Sequence, residues 1–128
     1  AFQFPYNILD RRFEEVCIPR GYRYARSVFL QGVLASGNKL IESAPESLRK
    51  IQKNYHSILR KDEIEPIHLA LSFVLFSKNI DYFLIGVESL KQLEEILNLD
   101  FNKYNKWKNF NSIELKFDSR WLDPREWN

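Results

Sequence analysis

Methionine is missing from the 128 residues, and cysteine occurs once, at position 17. A single cysteine excludes an internal disulfide and, with it, the cross-linked frameworks of small secreted domains. Cys17 has no histidine near it in sequence and is expected to be a buried, inert thiol rather than a nucleophile. The lack of methionine, at position 1 as elsewhere, gives the expectation of a piece of a longer polypeptide. An excess of one charge is also lacking. The 19 basic and 17 acidic residues leave +2, too balanced to indicate nucleic acid or an acidic membrane surface. No run approaches the roughly 20 apolar residues of a membrane span, and the amino terminus lacks the basic, apolar and small-residue order of a signal peptide. A cytoplasmic chain with no membrane partner is therefore expected. The four glycines form neither a dinucleotide fingerprint nor a phosphate loop with Gly-Lys-Ser/Thr, and no Ser-His-Asp order is present. His56 and His68 lie in separate helical stretches, off the apolar stripes and without a partner at metal-ligand spacing, so both are expected in solvent. Acidic pairs such as Glu14-Glu15 and Glu94-Glu95 read as solvated helix faces.

A hydrophobic share of 45%, with 15% aromatic residues, suits a folded domain with its own core. The chain is nevertheless short for a closed barrel of eight strands and eight helices. The stretch 80–97, IDYFLIGVESLKQLEEIL, organises the rest. Ile80, Tyr82, Phe83, Leu84 and Ile85 form a continuous β-prone run, the pattern of a strand covered on both faces in a parallel sheet. Gly86 ends it. Ser89 followed by Gln92 has capping-box spacing and starts a helix at Leu90, with Leu90, Leu93, Ile96 and Leu97 expected on its buried side. Such a junction presents free backbone N–H groups and the positive end of a helix dipole, where an anion is favoured; the same residues also describe a plain sheet-to-helix turn.

Residues 2–6, FQFPY, form a second strand candidate ending at Pro5. Residues 10–16 carry a short helical signal with Asp10 as N-cap, and residues 22–27 form a third strand leading to a loop that closes at Gly32. Residues 35–44 are a connector. Pro45 opens a helix with Leu48, Ile51, Tyr55, Ile58 and Leu59 at helical spacing, and Pro66 opens another with Ile67, Ala70, Leu71, Val74 and Leu75 as its stripe. The order strand, helix, strand, two helices, strand, helix implies an α/β fold with parallel strands and right-handed crossovers. After Leu99 the pattern changes: Phe101, Tyr104, Trp107 and Phe110 recur every third residue among lysines. This aromatic and basic tail, residues 100–128, is expected to dock on residues 1–99; stacking of single-stranded nucleic acid is the less favoured reading.

Ligands of parallel α/β folds bind at the carboxyl ends of strands, here Gln3, residues 26–32 and residues 86–89. The run Phe2-Gln3-Phe4-Pro5-Tyr6-Asn7, the segment 25–34 (ARSVFLQGVL), and Ile85-Gly86-Val87-Glu88-Ser89 with Gln92-Leu93-Glu94-Glu95 together resemble the carboxyl-terminal part of the aldo/keto reductases. The resemblance runs in order from Phe2 to about Leu97, and residues 66–75 resemble the family's helix before its last strand. It implies that residues 2–6, 22–27 and 81–85 are strands six to eight of a TIM (β/α)8 barrel, with about three strands and four helices in this chain. It also implies an NAD or NADP cofactor and the reduction of aldehydes or ketones. On this resemblance Gln3 matches the glutamine that bonds the nicotinamide carboxamide. Ser27, Phe29 and Gln31 fall in the loop over the pyrophosphate. Gly86, Val87, Glu88, Ser89, Gln92 and Glu95 match the segment holding the adenosine end, with Glu95 at the adenine.

Three departures from the family pattern matter. Arg26 stands where many members stack a tyrosine under the nicotinamide; a cation beside an oxidised nicotinamide is unfavourable, and a substrate anion is an alternative partner. Gln92 stands where many members place an arginine for the 2′-phosphate of NADP, and Glu88 adds negative charge, so NAD or mixed use is expected, with Lys91 offsetting part of this. No part of the chain resembles the half of the family that carries the catalytic Asp, Tyr, Lys and His. The expectation is a cofactor-binding portion, inactive alone, that acts on a small carbonyl substrate only with its missing half. A non-catalytic nucleotide-binding module that self-associates through exposed barrel edges is the alternative.

Overall fold

The computed structural model describes residues 1–15, 20–36, 42, 44–104 and 119–127. Three short strands, β1 (Phe2–Pro5), β2 (Arg23–Arg26) and β3 (Tyr82–Phe83), pair in parallel in the order β1-β2-β3. Phe4 lies beside Ala25, which lies beside Phe83; Gln3 lies beside Tyr24, which lies beside Tyr82. Side chains alternate along a strand, so these two rows occupy opposite faces of the sheet. The first row faces the core: Ala25 and Phe4 are buried and Phe83 packs against them. The second row is open. Gln3 is exposed, Tyr82 is 50% exposed, and Leu84, next on that face, is 48% exposed. Tyr24 stacks on Tyr82 at 5.0 Å, and Tyr22 meets the same ring edge-on at 5.5 Å.

The expected strand 80–85, buried on both faces, is therefore corrected to a two-residue strand with one bare face. No strand lies beyond β3 among the described residues to continue the ladder or cover it. Its attachment is local: the Arg23 N–H and guanidinium both donate to Asp81, and the Leu84 N–H donates to the Ala25 carbonyl. The Arg23 guanidinium holds the Asp81 carboxyl below its usual range.

Helix α1 (Glu46–Lys61) begins after Pro45, whose ring pre-sets a helical entry, and buries Leu48, Ile51, Tyr55 and Leu59 along one stripe. Helix α2 (Pro66–Leu75) has proline at its first position and buries every residue from Leu69 to Val74. Leu75, expected on the stripe, is 45% exposed at the helix end. Tyr55 ties the two helices together, its hydroxyl donating to the Pro66 carbonyl at 3.2 Å. Helix α3 (Leu90–Leu97) starts at Ser89, as its spacing predicts, with the Ser89 hydroxyl accepting the Gln92 N–H. Its buried side is narrower than expected: Ile96 is buried and Leu93 half-buried, while Leu90 and Leu97 are 71% and 73% exposed. Helix α3 follows the edge strand, so little of its apolar circumference finds a surface to pack on.

The helix expected over 10–16 is replaced by a turn at residues 12–15. Asn7 accepts the N–H groups of Leu9 and Asp10, and the Asp10 carboxylate takes the Arg12 guanidinium at 2.8 Å. Short polar side chains thereby bind the backbone and guanidinium that a helix would leave free. The described residues thus hold three α-helices rather than about four. Both histidine expectations are corrected. His56 is buried on α1, and His68 is half-buried on α2, edge-on to Phe101 at 6.5 Å. In the tail, Phe101 and Trp127 pack against the core and Leu122 is buried in it. The expectations for Cys17, Trp107 and Phe110 lie outside the described residues. Among the described residues no helix is long and apolar enough to cross a membrane.

Candidate functional site

The segment after β2 departs from ordinary backbone geometry. Ser27, Leu30 and Gln31 have φ of 56°, 44° and 52°, and Gly32 has 87°. The left-handed region costs an L-residue roughly 1–2 kcal/mol, so three such residues within five positions require support from their surroundings. That support is visible. The Ser27 carbonyl accepts both the Asn7 amide at 2.9 Å and the Leu30 N–H at 3.0 Å. The Leu30 side chain is buried in the core, and its carbonyl accepts the Val33 N–H. At the far end Gln52, buried on α1, donates to the Val33 carbonyl at 3.0 Å and to the Ser36 hydroxyl at 2.6 Å. The loop is clamped by β1 on one side and by α1 on the other. Gln31 and Gly32 keep backbone N–H groups with no acceptor among the described residues.

Across from this loop, residues 84–89 leave β3 and enter α3. Gln92 closes the entry in two directions: its N–H donates to Ser89, and its side-chain carbonyl accepts the Glu88 N–H at 2.8 Å. The glutamine reaches one residue further back than in a standard capping box and so fixes the path of 86–88. A Cβ built on Gly86 would meet no atom within 4 Å, and its φ lies outside the left-handed region. The chain itself thus places no steric demand for glycine there, and the space above Gly86 is open.

Between the two segments lies a cavity of about 650 Å³, within the usual size of a small-molecule site. Ser27, Phe29 and Gln31 form one wall, and Gly86, Val87, Glu88 and Gln92 form the other. Val28, Leu30, Gly32, Ala35, Ser36, Leu84 and Ile85 complete the lining; of these Ala35, Ser36, Leu84 and Ile85 lie outside the strand ends at which the sequence places a ligand. Four residues that were singled out lie outside it. Gln3 stands on the open sheet face. Arg26 sits at the border, its guanidinium donating to the Ser27 hydroxyl at 3.3 Å. Ser89 serves as helix cap. Glu95 faces a second groove, of about 590 Å³, between α3 and the start of α2. Lys91 lines that groove too and lies 3.9 Å from Glu95. Asn7 and Gln52, which hold the loop in place, carry no periodicity or motif that would single them out.

Among the described residues the cavity lining includes no histidine, cysteine, lysine or tyrosine, and Glu88 is its one charged side chain. It can offer backbone N–H groups, two hydroxyls, two amides and apolar walls, the equipment of a binding surface. Among the described residues no group of three or more His, Cys, Asp or Glu could hold a metal ion. No protein-family model matches the chain, and a search of curated proteins found no match.

Proposed function

We propose that this chain is the cofactor-binding, carboxyl-terminal portion of an aldo/keto-reductase-like oxidoreductase, with a nicotinamide dinucleotide lying across the cavity between residues 27–36 and 84–92. The observation that carries this reading is the convergence of two stretches, distant in sequence, on one cavity at the carboxyl ends of parallel strands. Three parallel strands with helices on one face and a bare opposite face are what strands six to eight of a TIM barrel would present without their neighbours. In the bound state the nicotinamide lies toward Gln3 and Arg26, and the adenosine end lies toward Gly86 and Gln92. Glu88, with no cation lining the cavity against it among the described residues, disfavours a 2′-phosphate, so NAD is accepted at least as well as NADP.

The parent reaction moves a hydride from NAD(P)H to a carbonyl carbon, while an acid protonates the oxygen. The one carboxyl lining the cavity among the described residues, Glu88, lies at the proposed adenosine end and away from the nicotinamide, so the chain alone binds cofactor without turnover. Titration of the pure chain with NADH and NADPH, followed by tryptophan quenching and energy transfer to the nicotinamide, tests the reading. Saturable binding with NADH no weaker than NADPH supports it. Reduction of aldehydes by the chain alone would refute the inactive-portion claim.

The bare face and open edges also favour self-association of the isolated chain. Sedimentation tests this: a monomer at all concentrations counts against an oligomerising module.

A further inference from the structure

Among the described strand residues, Arg26 is the one charged side chain on the open face of the sheet. That face carries Gln3, Tyr24, Tyr82 and Leu84, with Pro5 beside Arg26 in register. Three other arginines of the described chain are engaged by carboxylates: Arg23 by Asp81, Arg12 by Asp10 and Arg125 by Asp123. Arg26 is exposed at the carboxyl end of β2, and its one contact is the Ser27 hydroxyl at 3.3 Å, so no carboxylate among the described residues is in ion-pair reach. Ser27 is itself held by Asn7, and its hydroxyl steadies the guanidinium beside the cavity. A guanidinium has five donors in a planar fork that matches a carboxylate with two parallel hydrogen bonds. Around it lie stacked rings and an exposed leucine, a surface for an apolar body. Among the described strand residues no second cation shares the face, which suits one negative charge better than the two of a phosphate monoester.

We infer that the carbonyl substrate is a monocarboxylate, an oxo acid with an apolar body, whose carboxylate is held by the Arg26 guanidinium on the open sheet face. The inference rests on the dinucleotide-binding reading above, since the substrate must lie beside the nicotinamide. It is tested by calorimetry on the full chain at saturating NADH, with 4-carboxyacetophenone and its uncharged methyl ester as probes. The acid is expected to bind about tenfold or more tighter than the ester. That preference disappears in Arg26→Gln and is retained in part in Arg26→Lys, which keeps the charge but not the fork. With NADH bound, equal affinity for acid and ester, binding of neither, or a preference that survives in Arg26→Gln overturns the inference alone. Failure of the chain to bind NADH overturns the dinucleotide reading and this inference with it.

Discussion

The Asn7 amide donates to the Ser27 carbonyl at 2.9 Å, joining the second residue past β1 to the first left-handed residue after β2. Asn7 is buried, and its oxygen accepts the N–H groups of Leu9 and Asp10. One side chain thereby sets the turn that replaces a helix and one wall of the cavity. Asn7→Leu leaves a carbonyl and two N–H groups without their partner, and it is expected to lower unfolding free energy by about 2–4 kcal/mol in urea titration. A loss under about 0.5 kcal/mol would show that Ser27 needs no such clamp.

His56 gives the fold a pH dependence with a definite sign. It is buried on α1, and Nε2 has no hydrogen-bond partner among the described residues; burial first, then Arg60, hold its pKa below the usual value. The unfolded chain, with an ordinary histidine pKa near ~6.5, then binds the proton more readily than the folded one. The histidine contribution is complete above that value and is lost as pH falls toward the folded pKa. Stability from pH 7 to 5.5 is expected to fall in the wild type and to fall less in His56→Leu. Parallel curves for the two proteins would remove His56 as the cause.

The Arg23–Asp81 pair fastens the short β3. In Asp81→Asn the carboxylate is gone, and amide exchange at Leu84, which bonds to Ala25, is expected to accelerate while exchange in α1 stays unchanged. Equal exchange at Leu84 would mean that the backbone pairing holds β3 unaided.

Helix α3 contrasts a buried and an exposed position of the same apolar pattern. Ile96→Ala is expected to cost about 2–4 kcal/mol, whereas Leu90→Gln changes stability by about 0.5 kcal/mol or less. If Leu90→Gln proves as costly as Ile96→Ala, the helix is packed on both sides in solution.

Local chemistry made much of this legible in the sequence. Pro66 and the run behind it define α2, and Ser89 with Gln92 defines the start of α3, because caps and prolines act within one turn. The strand order and the two loops that meet at the cavity follow from the same punctuation. What depends on distant partners was not legible. The bare face of β3 and the exposure of Leu90 and Leu97 depend on which elements stand nearby, and periodicity reports an apolar stripe without reporting its cover. His56 is a polar residue drawn into the core by its place beside Tyr55 on α1. Asn7 turned residues 10–15 away from a helix through hydrogen bonds that no spacing rule encodes.

The most direct measurement compares NADH titrations of the wild type and Gly86→Leu, with thermal unfolding of both. A Cβ at position 86 meets no atom of the described residues within 4 Å, and position 86 lines the cavity that the dinucleotide is proposed to fill. The account predicts saturable NADH binding by the wild type, and in the variant an unchanged unfolding midpoint with affinity weakened about tenfold or more. Equal affinity in the two proteins, or no binding by the wild type up to about 1 mM dinucleotide, would contradict it.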